Sequence, residues 1–161
     1  MKHAICLLLL IASSLPAESS PALAAELPAS VRQHMAKMVG QWSFEGVDGD
    51  RRFRGKEAIR LTSNGTALLQ EGYFELPGGG KEHYVILSGW DASGKTVRVR
   101  GFTSDGYSWT GEWKTLNGSK WQGTASGNAA SFAVEKDTMR YEDAGDGKPW
   151  ISRFTRIKKQ G

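Results

Sequence analysis

The sequence is poor in the residues from which thiolate and imidazole sites are built. Its 161 residues include one cysteine (Cys6), three histidines and five prolines. A single thiol excludes an internal disulfide framework and any zinc centre needing two thiolates. No apolar run approaches the roughly 20 residues that a membrane-spanning helix requires. Charged residues make up 24% and hydrophobics 39%, which excludes a disordered or collagen-like chain and fits one ordinary domain. The formal net charge of +4 is small, and acidic residues are interleaved with basic ones throughout. That balance gives no support to nucleic-acid binding, which calls for a larger excess and an exposed aromatic platform. What is abundant is glycine, at 20 residues, together with six tryptophans.

The first segment reads as an address. Met1, Lys2 and His3 form a basic start, 4–12 is apolar, and Pro16 and Glu18 open a polar stretch. Ala22-Leu23-Ala24 has the small-x-small form of a leader cleavage site. The pattern predicts a signal peptide over 1–24, cut after Ala24 or Ala25, and a single domain over 25–161. Cys6 lies too early to be a lipoprotein cysteine, so no stable membrane anchor remains after cleavage. The expected setting is a bacterial periplasm or the outside of the cell. A cysteine-free mature chain carries no thiol chemistry.

One short helical pattern follows over 27–39, with Val31, Met35, Met38 and Val39 at three- and four-residue spacing and Ser30 as its expected cap. After Trp42 the period becomes two. Alternating segments occupy 42–44, 53–61, 68–76, 83–90, 97–103, 107–115, 121–125, 132–134, 139–141 and 151–157. Turn dipeptides separate them: Asp48-Gly49, Asn64-Gly65, Gly78-Gly79, Ser93-Gly94, Asp105-Gly106, Asn117-Gly118, Gly127-Asn128 and Asp146-Gly147. Nine or ten hairpin-linked strands make an antiparallel meander, which must close or split to hide its edges. Gly55, Gly72, Gly89, Gly101, Gly111 and Gly123 fall inside strands, as the kinks of a small closed barrel would. The expected fold is an all-β, up-and-down barrel of about 8–10 strands with a short N-terminal helix.

Gly89-Trp90-Asp91-Ala92-Ser93-Gly94-Lys95-Thr96 satisfies the phosphate-loop pattern, but a period-two strand follows where a helix N-terminus is required. It reads as a hairpin turn. No G-x-S-x-G elbow occurs. His83 leads a strand and is placed inward beside Val85 and Leu87; among Glu57, Glu71 and Glu75, Glu57 shares a face with Phe53, Ile59 and Leu61 and is the one best placed to be buried and perturbed, with a salt-bridged rim position as the plainer reading. A barrel enzyme using His83 with Glu57 or Tyr84 is the weakest of the functional readings. The basic clusters Arg51-Arg52-Arg54-Lys56-Arg60 and Arg153-Arg156-Lys158-Lys159, with outward Arg98 and Arg100, read as solvated barrel exterior. Asn64-Gly65-Thr66 and Asn117-Gly118-Ser119 match glycosylation sequons but are better explained as turns. Trp109, Gly111 and Trp113 share one face, and Trp121 and Gly123 repeat the pairing. Such aromatics either fill a core or wall a cavity for a flat apolar ligand.

Val39-Gly40-Gln41-Trp42, a G-x-W where the helix meets the first strand, resembles the opening signature of the lipocalin and calycin superfamily. The resemblance implies that Trp42 sits at the closed end of the barrel. It also implies that a basic residue of the last strand, Arg153 or Arg156, lies over its ring. Leu87-Ser88-Gly89-Trp90-Asp91 with Gly94-Lys95 looks like the hairpin of bacterial lipocalin-like domains that carry no assigned activity. Nitrobindin-like haem barrels open with a similar motif, but Phe44 replaces their middle glycine and the last strand has no histidine, which argues against haem. The stretch from Leu27 to Trp42 is also similar to periplasmic barrel inhibitors of metalloproteases, whose N-terminal segment enters the protease cleft.

These readings lead to a non-enzymatic barrel binding a small hydrophobic or aromatic molecule. The expected lining is Trp42, Phe53, Phe74, His83, Trp109, Trp113, Trp121, Phe132 and Tyr141, with Gly40, Trp42, Arg153 and Arg156 as structural residues. No catalytic residue, metal or cofactor is implied. The alternative is a protein-binding inhibitor acting through residues 25–35 or an exterior rim.

Overall fold

The computed structural model describes residues 27–75, 77–116, 120–145 and 147–158. The expected leader with its cleavage point, Leu76, the Asn117-Gly118-Ser119 turn, Asp146 and Lys159 lie outside the described residues. One helix, α1 (Ala29–Met38), precedes ten strands. These are β1 (Gly40–Asp48), β2 (Arg51–Leu61), β3 (Ala67–Glu75), β4 (Lys81–Asp91), β5 (Thr96–Thr103), β6 (Ser108–Leu116), β7 (Lys120–Ala125), β8 (Asn128–Val134), β9 (Thr138–Asp143) and β10 (Trp150–Arg156). Each strand pairs antiparallel with its sequence neighbours, and β1 pairs with β10, so the barrel closes and no edge is left to template aggregation.

Alternation decides what lies inside. In β2, Phe53, Gly55, Glu57 and Ile59 are buried, while Arg54, Lys56 and Arg60 between them are exposed. The exposed cations meet acids on the same outer surface: Arg54 with Glu75 at 2.9 Å and Arg98 with Asp91 at 2.9 Å. Asp91 also accepts hydrogen bonds from the Ser93 hydroxyl and the Ser93 and Gly94 amides, which holds its carboxyl down at about 2. The phosphate-loop match is therefore a hairpin turn, and Thr96 begins β5. The Ser126-Gly127 pair, both at positive φ (51° and 84°), makes the two-residue turn between β7 and β8. Asn128, expected in that turn, is the first residue of β8.

Interior glycines are placed opposite aromatic rings. Gly46 pairs with Phe53, Gly55 with Phe44, Gly72 with Tyr84, and Gly101 with Trp109 across adjacent strands. At each of these four a Cβ would overlap the facing ring, so the ring folds flat over its partner's backbone. This arrangement lets the sheet coil tightly while the aromatic covers the bare peptide. Of the glycines expected inside strands, Gly55, Gly72 and Gly101 belong to such pairs, whereas a Cβ at Gly111 or Gly123 would meet neighbouring backbone and one at Gly89 only the Ala67 methyl.

The helix plugs the end of the barrel at which β1 begins. Val31, His34, Met35 and Met38 are buried against Trp42, Leu68, Val97, Trp121, Val134 and Met139. Ser30 is not its cap. Pro28 takes that position at φ −53°, with no side-chain cap hydrogen bond, and its carbonyl accepts from the Arg32 amide at 2.9 Å. Proline's preset φ begins the helix without a side-chain cap. The opposite face of the helix, with Ser30, Arg32, Gln33, Ala36 and Lys37, is exposed.

Candidate functional site

Between the plug and the opposite rim lies a cavity of about 810 Å³. Met35 and Met38 contribute to its floor, and Asp48, Arg51, Tyr107 and Lys148 stand around its mouth. Ten strands set a barrel radius that side chains alone do not fill. Phe74, Trp109, Trp113, Trp121, Phe132 and Tyr141, six of the nine residues expected to line the interior, form its wall. Trp113 is the hub, with ring centroids 6.4 Å from Phe132 and 6.0 Å from Tyr141.

The other three expected residues lie elsewhere. Trp42 faces inward but is 0% exposed, packed under the floor. Phe53 is buried among Phe44, Phe74 and Trp150, its ring 4.3 Å from that of Trp150, and belongs to the aromatic packing behind the wall. His83 is a correction: it is exposed, on the outside of the barrel, with its ring 5.8 Å from Tyr73. Val85 and Leu87 are outside with it, and Tyr84, Ile86 and Ser88 point in. The pairing of His83 with Glu57 or Tyr84 is excluded by the thickness of the sheet between them.

Glu57 is the second correction. It is not at a salt-bridged rim; it lies in the cavity wall, 6% exposed, and accepts a hydrogen bond of 2.7 Å from the Tyr84 hydroxyl. Burial pushes its carboxyl up to about 7 against the opposing pull of that hydroxyl. Desolvation and the adjacent carboxylate drive the Tyr84 phenol well above its ordinary range. Tyr141 is likewise raised, by burial and by its 2.7 Å hydrogen bond to Asp143. Phe44, Trp150, Ser152 and Phe154 also line the cavity and were not expected there. Their signal was parity with Trp42 in β1 and with one another in β10.

Below the floor the two candidate arginines separate. Arg156 lies over the Trp42 ring, 4.1 Å from its centroid, and donates to the carbonyls of Val39 (2.7 Å), Lys37 (2.6 Å) and Lys136 (3.2 Å). Trp42 donates its indole N–H to the Met38 carbonyl at 2.8 Å. A side chain at Gly40 would collide with the Arg156 guanidinium, and φ there is +147°. Arg153 is exposed on the outer face, between Glu45 and Arg140. Arg156→Met should therefore cost about 2 kcal/mol, since three charge-assisted bonds and a cation–π contact are lost. Arg153→Met should stay within about 0.5 kcal/mol of the unaltered protein. Urea melts of the two variants check the contrast.

No protein-family model and no curated protein sequence matches the chain. Among solved structures, the barrel is similar to a de novo designed fluorescence-activating β-barrel. That match has a TM-score of 0.48 and 15% identity, and covers 78% of this chain and 98% of that one. It is also similar to a redesigned β-barrel, mFAP0, bound to DFHBI, with a TM-score of 0.47 and 12% identity over 74% of this chain and 99% of that one. Among the described residues no group of three or more His, Cys, Asp or Glu side chains is placed to hold a metal ion, and no helix is long and apolar enough to cross a membrane.

Proposed function

We propose that the chain is an exported, non-enzymatic barrel of lipocalin-like type that binds a small flat aromatic molecule in its lumen. The observation that carries this reading is the cavity itself. It has about 810 Å³ of open space walled by Trp109, Trp113, Phe132 and Tyr141 and continuous with a mouth. That volume lies within the range of small-molecule sites, and tryptophan and tyrosine walls favour stacking on planar ligands. The G-x-W junction with an arginine over its tryptophan supports the calycin likeness, and the leader pattern supports export.

Native mass spectrometry of the protein taken from a periplasmic extract tests the reading. A reproducible adduct of a few hundred daltons that disappears on denaturation is expected. Trp113→Ala should abolish it while the protein stays folded by circular dichroism. A bare protein that also fails to bind any planar aromatic dye at millimolar concentration would remove the proposal.

A further inference from the structure

The chain carries a net charge of +4, yet the cavity has the opposite sign. His34 and the tyrosines apart, its ionisable lining comprises four carboxyl groups, Asp48, Glu57, Glu82 and Asp143, against two cations, Arg51 and Lys148. The two cations are engaged near the rim: Arg51 pairs with Asp48, and Lys148 reaches Asp50 at 3.4 Å. Glu57, Glu82 and Asp143 have no ion-pair partner among the described residues. The basic residues that make the chain positive lie on the exterior.

Glu57 is the acid placed deepest. Its Oε2 takes the Tyr84 hydroxyl, and no donor among the described residues reaches Oε1, although the residue is only 6% exposed. Oε1 is not among the fully buried polar atoms that lack a partner, so it is open to the cavity, the side from which a ligand's donor can reach it. The surrounding surface is aromatic, with Tyr84, Phe74 and Trp109 on the same cavity wall. Ring faces attract organic cations as well as flat apolar surfaces.

Resting on the aromatic-binding reading above, we infer that the ligand is a cationic aromatic amine whose protonated nitrogen meets Glu57. The rest of the molecule stacks in the tryptophan-lined space, and the acidic rim at Glu82 and Asp143 biases entry toward cations. The Glu57 carboxylate then has the Tyr84 hydroxyl on Oε2 and a counter-charge on the oxygen open to the cavity.

Three tricyclic probes of one shape separate the alternatives: 9-aminoacridine (a cation), acridine (neutral) and acridine-9-carboxylate (an anion). Titration calorimetry at pH 8, where the Glu57 carboxyl is mostly ionised, should rank the cation tightest by roughly tenfold or more over the neutral probe. Glu57→Gln should remove most of that advantage and leave acridine within about threefold of its original affinity. Glu82→Gln, at the wetter rim, should weaken the cation by a smaller factor. Circular dichroism and thermal melts establish that both variants fold. Equal affinities for cation and neutral probe, a preference for the anion, or a Glu57→Gln variant that still prefers the cation would each overturn the inference. In those cases the aromatic-binding reading would stand. Binding of none of the three would overturn both.

Discussion

Trp42→Ala is expected to destabilise the barrel by about 4 kcal/mol, the upper range for deleting a buried aromatic ring. The residue is 0% exposed and sits where three elements meet. Its ring supports the Arg156 guanidinium at 4.1 Å, its N–H ties down the last turn of α1 through the Met38 carbonyl, and its body fills the barrel floor. Losing the ring opens a cavity under the plug, removes the platform beneath a half-exposed cation and frees a helix carbonyl at once. Trp42→Phe keeps a ring face and most of the volume but loses the indole hydrogen bond, and should cost about half as much. Urea unfolding of the two variants, with the slope compared to that of the unaltered protein, reads both numbers. A Trp42→Ala barrel within about 1 kcal/mol of the original would mean that the plug and floor are held by other contacts.

The same junction shows what the sequence exposes and what it conceals. Period-two patterning and regularly spaced glycine turns are sufficient for a closed meander, because antiparallel strands joined by short loops have few other ways to hide their edges. The phase of each strand is harder. In β4, Val85 and Leu87 outvote Ser88 on hydrophobicity, so pattern alone places His83 in the interior with them. The structure follows Trp90 and Tyr84 instead, and leaves Val85 and Leu87 outside at 41% and 48% exposure. A barrel with large inner aromatics tolerates a serine inside, and a sheet exterior tolerates single aliphatics. Parity would have resolved Arg156 from Arg153 in the same way, since Trp150, Ser152 and Phe154 share Arg156's face. The Glu57–Tyr84 contact was not legible. It crosses from β2 to β4 over Gly72 of β3, and only the register reveals that the intervening residue has no side chain. An open lumen, too, depends on strand number and shear, which no local pattern encodes.

Stability should fall as pH rises from 5 to 8, and Glu57 should account for about 3 kcal/mol of that fall. In the unfolded chain this carboxyl ionises near 4.5; in the barrel, burial holds the proton to about 7, with the Tyr84 hydroxyl only partly restoring the charged form. Between those two values the folded state binds more protons than the unfolded state, so each step up in pH favours unfolding, and the loss is complete above about 7. Glu57→Gln removes the titration while its amide oxygen can still accept from Tyr84. The variant should match the original protein near pH 4.5 and exceed it by about 3 kcal/mol at pH 8. Taking the difference between the two proteins at each pH cancels His34, Glu82 and the other groups they share. Urea midpoints at pH 5, 6, 7 and 8 measure that difference, and a value that stays flat or changes in the opposite direction would refute a buried, ionising Glu57. At neutral pH and above a glutamine there would give a sturdier barrel, so the carboxylate is a cost that a bound cation would offset. A bound cation would reverse the balance by lowering the carboxyl's pKa. The pH-dependent loss should therefore shrink when 9-aminoacridine is present and persist with acridine.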